Sequence, residues 1–187
     1  MKRRALFLDR DGVINVDTGY VHRIEDCVFI DGIFEMVHAF HDRGFTIIIA
    51  TNQAGIGRGY YSEADFKRLM DWMCRRFEGK IAAVYHCPDH PEGVGIYRRD
   101  NPWRKPGPGM LLQAARDLDL DLAASWMVGD QETDIEAARR ARIGRIVLLD
   151  PPAAVTTRRD DYWRAPSLAS VTVLLDRAVD MTEGAGQ

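Results

Sequence analysis

The sequence has few cysteines and no excess of positive charge. Only three of its 187 residues are cysteines, and no two of them form a Cys-x-x-Cys pair, so the sequence predicts no disulfide framework. Free thiols are typical of a reducing compartment, and we therefore expect a cytoplasmic protein. The formal net charge of -3 gives no electrostatic reason to expect binding to nucleic acid or to an anionic membrane.

Long hydrophobic runs are also missing. The apolar stretch over residues 5–8 ends at Asp9 and Asp11, which makes it too short for the core of a signal peptide. No other run approaches the length of a membrane span, so we expect neither secretion nor membrane insertion. The length predicts one domain over residues 1–181, followed by a disordered tail over residues 182–187. We expect the protein to be a monomer.

Short apolar runs alternate with helix-like segments along the chain. This alternation predicts βαβ units, and hence an α/β fold: a Rossmann-like three-layer sandwich with a mostly parallel central sheet. One helix should span residues 33–43 and stop at Gly44, and another should start at Ser62 with Asp65 completing its cap. The strands are predicted at residues 5–8, 45–50, 81–85, 126–128 and 146–149, and further helices after Gly109, from Thr133 or Asp134, and around residues 169–179.

Two stretches are predicted to be irregular. Residues 56–59 (Ile-Gly-Arg-Gly) are expected to form a loop, and residues 88–108 contain too many prolines and glycines for a regular element. About twenty irregular residues within a compact domain typically form a functional loop. The spacing from Asp11 to the first helix, and from Thr51 to Lys105, leaves no room for a large cap domain.

Two acids, Asp9 and Asp11, close the first predicted strand. Residues i and i+2 of an extended chain face the same way, so both carboxylates can reach one reacting group. Two such carboxylates repel each other, and at least one pKa should rise unless a cation compensates them. A divalent metal would leave one acid as nucleophile or ligand and the other free to carry a proton. The alternative is an Asp-rich turn that Gly12 assists.

Other polar residues follow later strands, and in a parallel sheet these strand ends meet at one edge. Thr51 and Asn52 offer a hydroxyl and an amide that can donate to a phosphoryl oxygen, or that simply cap a turn. Asp130 is a candidate ligand for a hard cation. Asp134, four residues later, either shares a face with Asp130 or caps the following helix.

Arg104 and Lys105 lie in the long loop directly before Pro106. Because prolines restrict how the chain presents these two cations, the pair suits a phosphate anchor, with arginine as a bidentate donor and lysine as a point charge. A solvated basic pair is the alternative.

The order of these motifs resembles that of the haloacid dehalogenase-like (HAD) phosphohydrolase superfamily. Its four motifs match Asp-x-Asp-Gly, Thr-Asn, a lysine in a proline-bounded loop, and Gly-Asp-x-x-x-Asp. Longer stretches are similar to the D,D-heptose 1,7-bisphosphate phosphatases, and the related histidinol-phosphate phosphatases share much of the pattern. The resemblance covers about residues 4–150. The matching stretches are residues 9–15, 19–22, 51–59, 87–88 and 104–110.

The resemblance implies a role for each matching residue. Asp9 is expected to be the nucleophile that forms an aspartyl-phosphate, and Asp11 the acid that protonates the leaving oxygen and then activates water. Thr51 and Lys105 are expected to stabilise the transferring phosphoryl group. Mg²⁺ is expected to bind the Asp9 carboxylate, the Asp11 backbone carbonyl and Asp130, with Asp134 supporting this metal shell. Substrate recognition is expected at Asp17, Thr18, Gly19, Tyr20, Asn52, Gln53, Ala54, Arg104 and Gln131.

The sequence departs from the family pattern in the long loop. Many of these phosphatases hold the loop with zinc, through a Cys-x-His pair and a Cys-x-Cys pair before the Arg-Lys. Here Cys87 remains, but Asp89 stands at the histidine position, and Asn101 and Trp103 stand at the two later cysteine positions. We therefore predict that the structural zinc site is lost.

The two histidines nearby, His86 and His90, do not complete a zinc site, because structural zinc needs four good ligands. We expect Mg²⁺ as the cofactor and no zinc. Packing of Trp103 and Tyr97 against the prolines is one way to order the loop instead.

The expected function is that of a magnesium-dependent sugar-phosphate phosphatase of carbohydrate metabolism. The expected reaction removes the C7 phosphate of D-glycero-D-manno-heptose 1,7-bisphosphate, with histidinol phosphate or another small phosphomonoester as the alternative substrate. A receiver-like signalling domain is disfavoured because Thr51 and Asn52 occupy the place of its phosphoacceptor. A carbon–halogen hydrolase of the same superfamily would not need Asp11 or Asp130. A silent phosphate-binding scaffold is the remaining alternative.

Overall fold

The structure is a computed structural model that describes residues 2–183, with side chains described as far as residue 178. Within this range seven strands form one sheet in the order β3-β2-β1-β4-β5-β7-β6. All neighbouring strands are parallel except β6 and β7, which pair antiparallel. The strands are β1 (Ala5–Leu8), β2 (Thr46–Asn52), β3 (Ile81–Cys87), β4 (Trp126–Gly129), β5 (Arg145–Leu149), β6 (Thr157–Arg158) and β7 (Trp163–Ala165).

Helices cover both faces of the sheet. They are α1 (Ile33–Asp42), α2 (Ala54–Gly57), α3 (Glu63–Arg76), α4 (Gly109–Asp117), α5 (Glu132–Ala141) and α6 (Leu168–Glu183). On β1, Leu6 and Leu8 pack with the apolar sides of α1, α3 and α6. Ala5 and Phe7 point to the opposite face and pack with α4 and α5, as the two-residue period of a strand requires. The predicted three-layer α/β architecture is therefore confirmed.

The predicted helix boundaries depend on local capping, and two of them can be checked directly. The Ser62 hydroxyl accepts a hydrogen bond from the Asp65 amide at 3.1 Å, and the Asp65 carboxylate accepts one from the Ser62 amide at 3.0 Å. These two bonds satisfy amide groups at the start of α3 that have no partner within the helix. After α1, Gly44 has a φ of 79°, which suits a glycine at the end of a helix.

Two parts of the sequence interpretation were wrong. Residues 56–59 do not form only a loop, because Ile56 and Gly57 belong to the short helix α2. A glycine-rich run is typical of a loop, but Gly55 serves close packing here, since a Cβ on it would overlap the ring of Tyr61. The strands β6 and β7 were not predicted, because two or three residues are too short to show a periodic pattern.

The predicted disordered tail over residues 182–187 is also only partly testable. Residues 182 and 183 end helix α6 rather than extending beyond it. Residues 184–187 lie outside the described residues.

The carboxyl ends of β1, β2 and β4 lie side by side and form the edge at which the predicted site residues meet. Two segments border this edge, residues 9–32 and 88–108. Each contains one short 3-10 helix, Ile24–Asp26 and Gly95–Tyr97 respectively, and isolated β-bridges. No cap domain is inserted between residues 2 and 183, so the edge stays accessible.

Among residues 2–183, no helix is both long and apolar enough to cross a lipid bilayer.

Candidate active site

A cavity of about 270 Å³ opens at the carboxyl edge of the sheet. Most of the residues that the sequence predicted for the site line it, although they come from five separate segments of the chain. Two are not among the lining residues: Thr18, and the buried Thr51, whose hydroxyl accepts a hydrogen bond from Gln53 at 2.8 Å. The predicted residues that line the cavity are Asp9, Asp11, Asp17, Gly19, Tyr20, Asn52, Gln53, Ala54, Arg104, Lys105, Asp130, Gln131 and Asp134.

The ammonium group of Lys105 is the centre of the buried charge. It lies 2.7 Å from Asp9 Oδ1 and 2.5 Å from Asp134 Oδ1, and it donates a hydrogen bond to the carbonyl of Ala50 at 2.9 Å. Burial alone would lower the pKa of Lys105, but the two carboxylates outweigh that effect and raise the pKa. Lys105 is therefore a fixed positive charge beside Asp9.

Asp9 itself is 8% exposed. Its burial raises the pKa of the carboxyl to about 7, although Lys105 opposes the shift, and the nearby Asp134 adds to it. Burial also raises the pKa of Asp130. Burial is the first cause of both shifts, and a cation bound beside the two carboxylates would oppose them.

Asp9, Asp130 and Asp134 each offer one oxygen, and these oxygens lie within 4.8 Å of one another. Within residues 2–183 the Oδ1 atom of Asp130 is buried and has no hydrogen-bond partner. The carboxylate of Asp130 sits directly on Gly12, where a Cβ would overlap it. An orphaned buried oxygen in a carboxylate group of this kind fits a hard divalent cation, which prefers oxygen ligands.

The two oxygens of Asp134 are already engaged. One contacts Lys105, and the other accepts a hydrogen bond from the backbone amide of Gln131 at 3.1 Å. Asp134 thereby lies at the third position of α5 and not at its N-cap, which is Gln131. Asp9 and Asp130 are the better placed pair to hold a cation directly, and Asp134 orients Lys105 beside them.

Asp11 is held by an arrangement that the sequence did not predict. The guanidinium of Arg10, which is fully buried, donates to both carboxylate oxygens of Asp11 at 2.8 Å. Asn15 and Gln53 donate to the same carboxylate at 3.0 and 3.1 Å. Neighbouring residues in an extended chain face opposite sides, so no local pattern indicates that the Arg10 side chain turns back onto Asp11.

The Asn52 side chain both donates a hydrogen bond to the backbone of Lys105 and accepts one from it. Its amide nitrogen donates to the Lys105 carbonyl at 3.0 Å, and its amide oxygen accepts from the Lys105 amide at 2.9 Å. The side chain that was predicted for substrate recognition therefore holds the long loop against β2. In this way the end of one strand determines where the ammonium of Lys105 lies.

The residues at the positions where the family resemblance implies zinc ligands contact one another through hydrogen bonds. Asp89 is fully buried and accepts hydrogen bonds from Arg99 at 2.9 Å and from Asn101 at 2.5 Å. The Asn101 oxygen in turn accepts from the Trp103 amide at 2.9 Å. Cys87 is a free thiol. In the described part of the chain, the acids at the cavity form the one group of His, Cys, Asp or Glu residues with metal-ligand spacing.

The aromatic residues of the loop contact side chains outside it. The Trp103 ring lies 6.2 Å from that of Tyr85, and the Tyr97 hydroxyl donates to Glu63 at 3.0 Å. These contacts order the loop together with the Asp89 cluster.

A positive rim is defined as Arg104, which lines the cavity, and Arg58, which lies outside its lining and forms an ion pair with Glu92 at 3.0 Å. Arg58 contacts the hydroxyl of Tyr20, and its guanidinium lies 3.3 Å from His90 Nε2. Burial, followed by the charge of Arg58, lowers the pKa of Arg104. The sequence missed Arg58, because residues 56–59 were read only as a loop.

Comparison with known proteins places this geometry in a family. Residues 102–150 match the HAD-hydrolase-like family model. The chain is 58% identical over 153 residues to the D-glycero-alpha-D-manno-heptose-1,7-bisphosphate 7-phosphatase of Burkholderia mallei, covering 80% of this chain and 81% of the relative. The chain belongs to the heptose-1,7-bisphosphate 7-phosphatase family of the HAD superfamily. Members of this family are phosphoric monoester hydrolases.

Two further members support this assignment. The D-glycero-beta-D-manno-heptose-1,7-bisphosphate 7-phosphatase of Escherichia coli strain K12 is 43% identical over 173 residues, covering 89% of this chain and 91% of the relative. The crystal structure of the D,D-heptose 1,7-bisphosphate phosphatase of B. bronchiseptica, complexed with magnesium and phosphate, has a TM-score of 0.80 at 27% identity. It covers 94% of this chain and 99% of that chain.

Proposed function

We propose that this protein hydrolyses the C7 phosphate of D-glycero-D-manno-heptose 1,7-bisphosphate through an aspartyl-phosphate intermediate and that it uses Mg²⁺. The observation that carries the proposal is the buried carboxylate of Asp9, which faces the cavity between the ammonium of Lys105 and the unpartnered oxygen of Asp130. This arrangement suits a nucleophile that attacks an anionic phosphoryl group.

In the proposed mechanism Asp9 attacks the phosphorus atom, and the bond from phosphorus to the sugar oxygen breaks. Asp11, at the cavity wall, donates a proton to that leaving oxygen. A water molecule then attacks the phosphorus of the aspartyl-phosphate and passes a proton to Asp11, so inorganic phosphate leaves and Asp9 is regenerated. Lys105 and the Thr51 hydroxyl stabilise the charge on the equatorial oxygens.

Asp9, Asp130 and the backbone carbonyl of Asp11 would hold the Mg²⁺ ion. When bound, the ion supplies positive charge that offsets the charges of the phosphoryl oxygens and of the acids. Asp134 stays engaged by Lys105 and Gln131 and supports the shell.

Magnesium is expected to stabilise the fold in proportion to its occupancy of this site. At 100 times its dissociation constant, a ligand that binds only the native state adds about 2.7 kcal/mol to the free energy of unfolding. Thermal unfolding with increasing MgCl₂ should therefore show a rising midpoint, and Asp130→Asn should greatly reduce the rise. Asp71→Asn, at an exposed acid on α3, is the matched control. An unchanged magnesium response in Asp130→Asn would contradict the assignment.

The positive rim supports a substrate with two phosphates. If one phosphate lies at Asp9, the other end of a small sugar bisphosphate can face Arg104 and Arg58, because bidentate guanidinium groups suit phosphate. We propose that Asp17, Gly19 and Tyr20 contact the sugar between them. Further contacts are proposed for Thr18, the backbone of residues 52–54, and Gln131.

Arg58→Ala is expected to raise the KM for a heptose bisphosphate about tenfold, the usual effect of removing a charge-assisted hydrogen bond. The KM for heptose 7-phosphate, which lacks the second phosphate, should change less than twofold. Steady-state phosphate release measures both. Arg140→Ala, which removes an exposed arginine from α5, is the control. Equal losses on both substrates would show that Arg58 does not contact the second phosphate.

The function is tested by a phosphate-release panel on the purified full chain. The substrates are the two anomers of heptose 1,7-bisphosphate, fructose 1,6-bisphosphate and histidinol phosphate, each with and without Mg²⁺. We expect the highest kcat/KM on a heptose bisphosphate and activity only with Mg²⁺. A higher kcat/KM on histidinol phosphate would assign the alternative substrate, and phosphate binding without turnover would assign a scaffold.

We also propose that residues 1–181 act as a single domain, as a monomer in the cytoplasm, and without zinc. The support is that the three cysteines are free, and that Asp89 accepts hydrogen bonds where the zinc-binding relatives are expected to have a ligand.

A further inference from the structure

The side chain of Gln53 connects two catalytic groups. It is 2% exposed, and its amide nitrogen donates to Thr51 Oγ1 at 2.8 Å and to Asp11 Oδ2 at 3.1 Å. Its amide oxygen accepts a hydrogen bond from the hydroxyl of Tyr61 at 2.6 Å. Both ends of the amide are therefore engaged, and each end meets a partner of the opposite hydrogen-bonding type.

The orientation of this amide matters for Thr51. A threonine hydroxyl has one proton to donate. Because Thr51 Oγ1 accepts from the Gln53 nitrogen, its own proton remains available to a phosphoryl oxygen. If the amide were turned over, the Gln53 oxygen would compete for that proton and would also face the carboxylate of Asp11. The reversed orientation would therefore remove a donor from the transferring phosphoryl group.

The surroundings of Tyr61 favour the orientation of the Gln53 amide that leaves the Thr51 proton available. Its ring stacks on the imidazole of His22, with centroids 4.9 Å apart and planes 2° from parallel. Its burial raises the pKa of the phenol to about 12, so the hydroxyl stays a donor. Gly55 allows the ring to approach, since a Cβ at that position would overlap it. A donor fixed in this way can pair only with the oxygen of Gln53.

We propose that Tyr61 is a positioning residue that acts through Gln53 and keeps the Thr51 hydroxyl available to the phosphoryl group. The inference rests on the proposed phosphatase function. Tyr61 acts on the substrate only through Gln53 and Thr51. Loss of its hydroxyl should therefore slow phosphoryl transfer and leave ground-state binding of the substrate nearly unchanged.

Tyr61→Phe removes the hydroxyl and keeps the stacked ring. We expect kcat to fall about tenfold, the effect of one lost hydrogen bond in the transition state, and KM to change less than twofold. Tyr85→Phe is the matched control, because it removes a tyrosine hydrogen bond to Asp117 on the surface. A normal kcat in Tyr61→Phe would overturn the proposal.

A double-mutant cycle with Gln53→Leu tests whether Tyr61 acts through Gln53. Adding Tyr61→Phe to Gln53→Leu should cause no further loss of kcat, whereas a full tenfold additional loss would overturn the coupling. Calorimetric binding of orthovanadate, a mimic of the transferring phosphoryl group, gives a readout independent of turnover. Its affinity should fall about tenfold in Tyr61→Phe, and unchanged affinity would overturn the proposal. A wild-type enzyme that binds vanadate but releases no phosphate would contradict the proposed function alone.

Discussion

Asp9→Asn is expected to lower kcat on the heptose bisphosphate by at least about 10³-fold, the scale that is typical for loss of a covalent nucleophile. Asparagine has nearly the same size as aspartate, so the β1 edge should keep its shape. The amide cannot form a stable acyl-phosphate by displacement, and it no longer attracts the ammonium of Lys105. Steady-state phosphate release measures the effect, and Asp176→Asn, at an exposed acid on α6, is the matched control.

Loss of activity in Asp9→Asn has a second explanation, because Asp9 is also a proposed magnesium ligand. An experiment on the wild-type enzyme distinguishes the nucleophile from the metal ligand. If Asp9 is the nucleophile, acid quenching during turnover should trap a phosphate group that peptide mass spectrometry assigns to Asp9. If Asp9 only binds the metal, no phosphopeptide should form while phosphate is released. A variant that retains more than a small fraction of wild-type kcat would exclude the nucleophile as well.

The sequence could predict the strand ends because each depends on a local pattern. Ala5 to Leu8 form an apolar run that stops at Asp9, and a parallel sheet brings such ends to one edge. The structure has Asp9, Lys105 and Asp130 around one cavity, as that reasoning requires. The local sequence pattern and the sheet topology both place these residues at the same edge, so their proximity could be predicted from the sequence.

The contacts that hold the site residues in place could not be predicted from the sequence, because they depend on side-chain direction and not on position along a strand. Arg10 turns back onto its neighbour Asp11, and Asn52 engages the backbone of Lys105, 53 residues away. No spacing rule describes either contact. Arg58 was missed for a related reason, since a glycine-rich stretch suggested a loop where the chain forms a short helix.

In the loop over residues 88–108, the family resemblance predicts only part of what the structure shows. The family pattern indicated which expected ligand positions differ in this sequence, but not how the residues at these positions contact one another. In the structure Asp89 is fully buried and accepts two side-chain hydrogen bonds, so residues at the positions expected to hold zinc contact one another through hydrogen bonds. Both bonds end at Oδ2, and within residues 2–183 the buried Oδ1 atom of Asp89 has no hydrogen-bond partner.

Lys105→Met is expected to lower both activity and stability. Methionine keeps much of the apolar stem but removes the ammonium that contacts Asp9, Asp134 and the Ala50 carbonyl. Breaking a buried ion pair from one side costs about 3–5 kcal/mol of the free energy of unfolding, and loss of a charge that stabilises the transferring phosphoryl group should lower kcat by at least about 10²-fold. Chemical denaturation and phosphate release measure the two effects.

Magnesium separates the two effects of this substitution. A bound cation can offset the charge of Asp9 and restore part of the free energy of unfolding, but it cannot replace the ammonium at the position of Lys105. We therefore expect Mg²⁺ to recover stability in Lys105→Met much more than kcat. Lys67→Met, at an exposed lysine on α3, should change neither quantity appreciably. If kcat recovers in step with stability, Lys105 only holds the acids in place; if kcat stays low in a stable enzyme, its charge acts on the phosphoryl group itself.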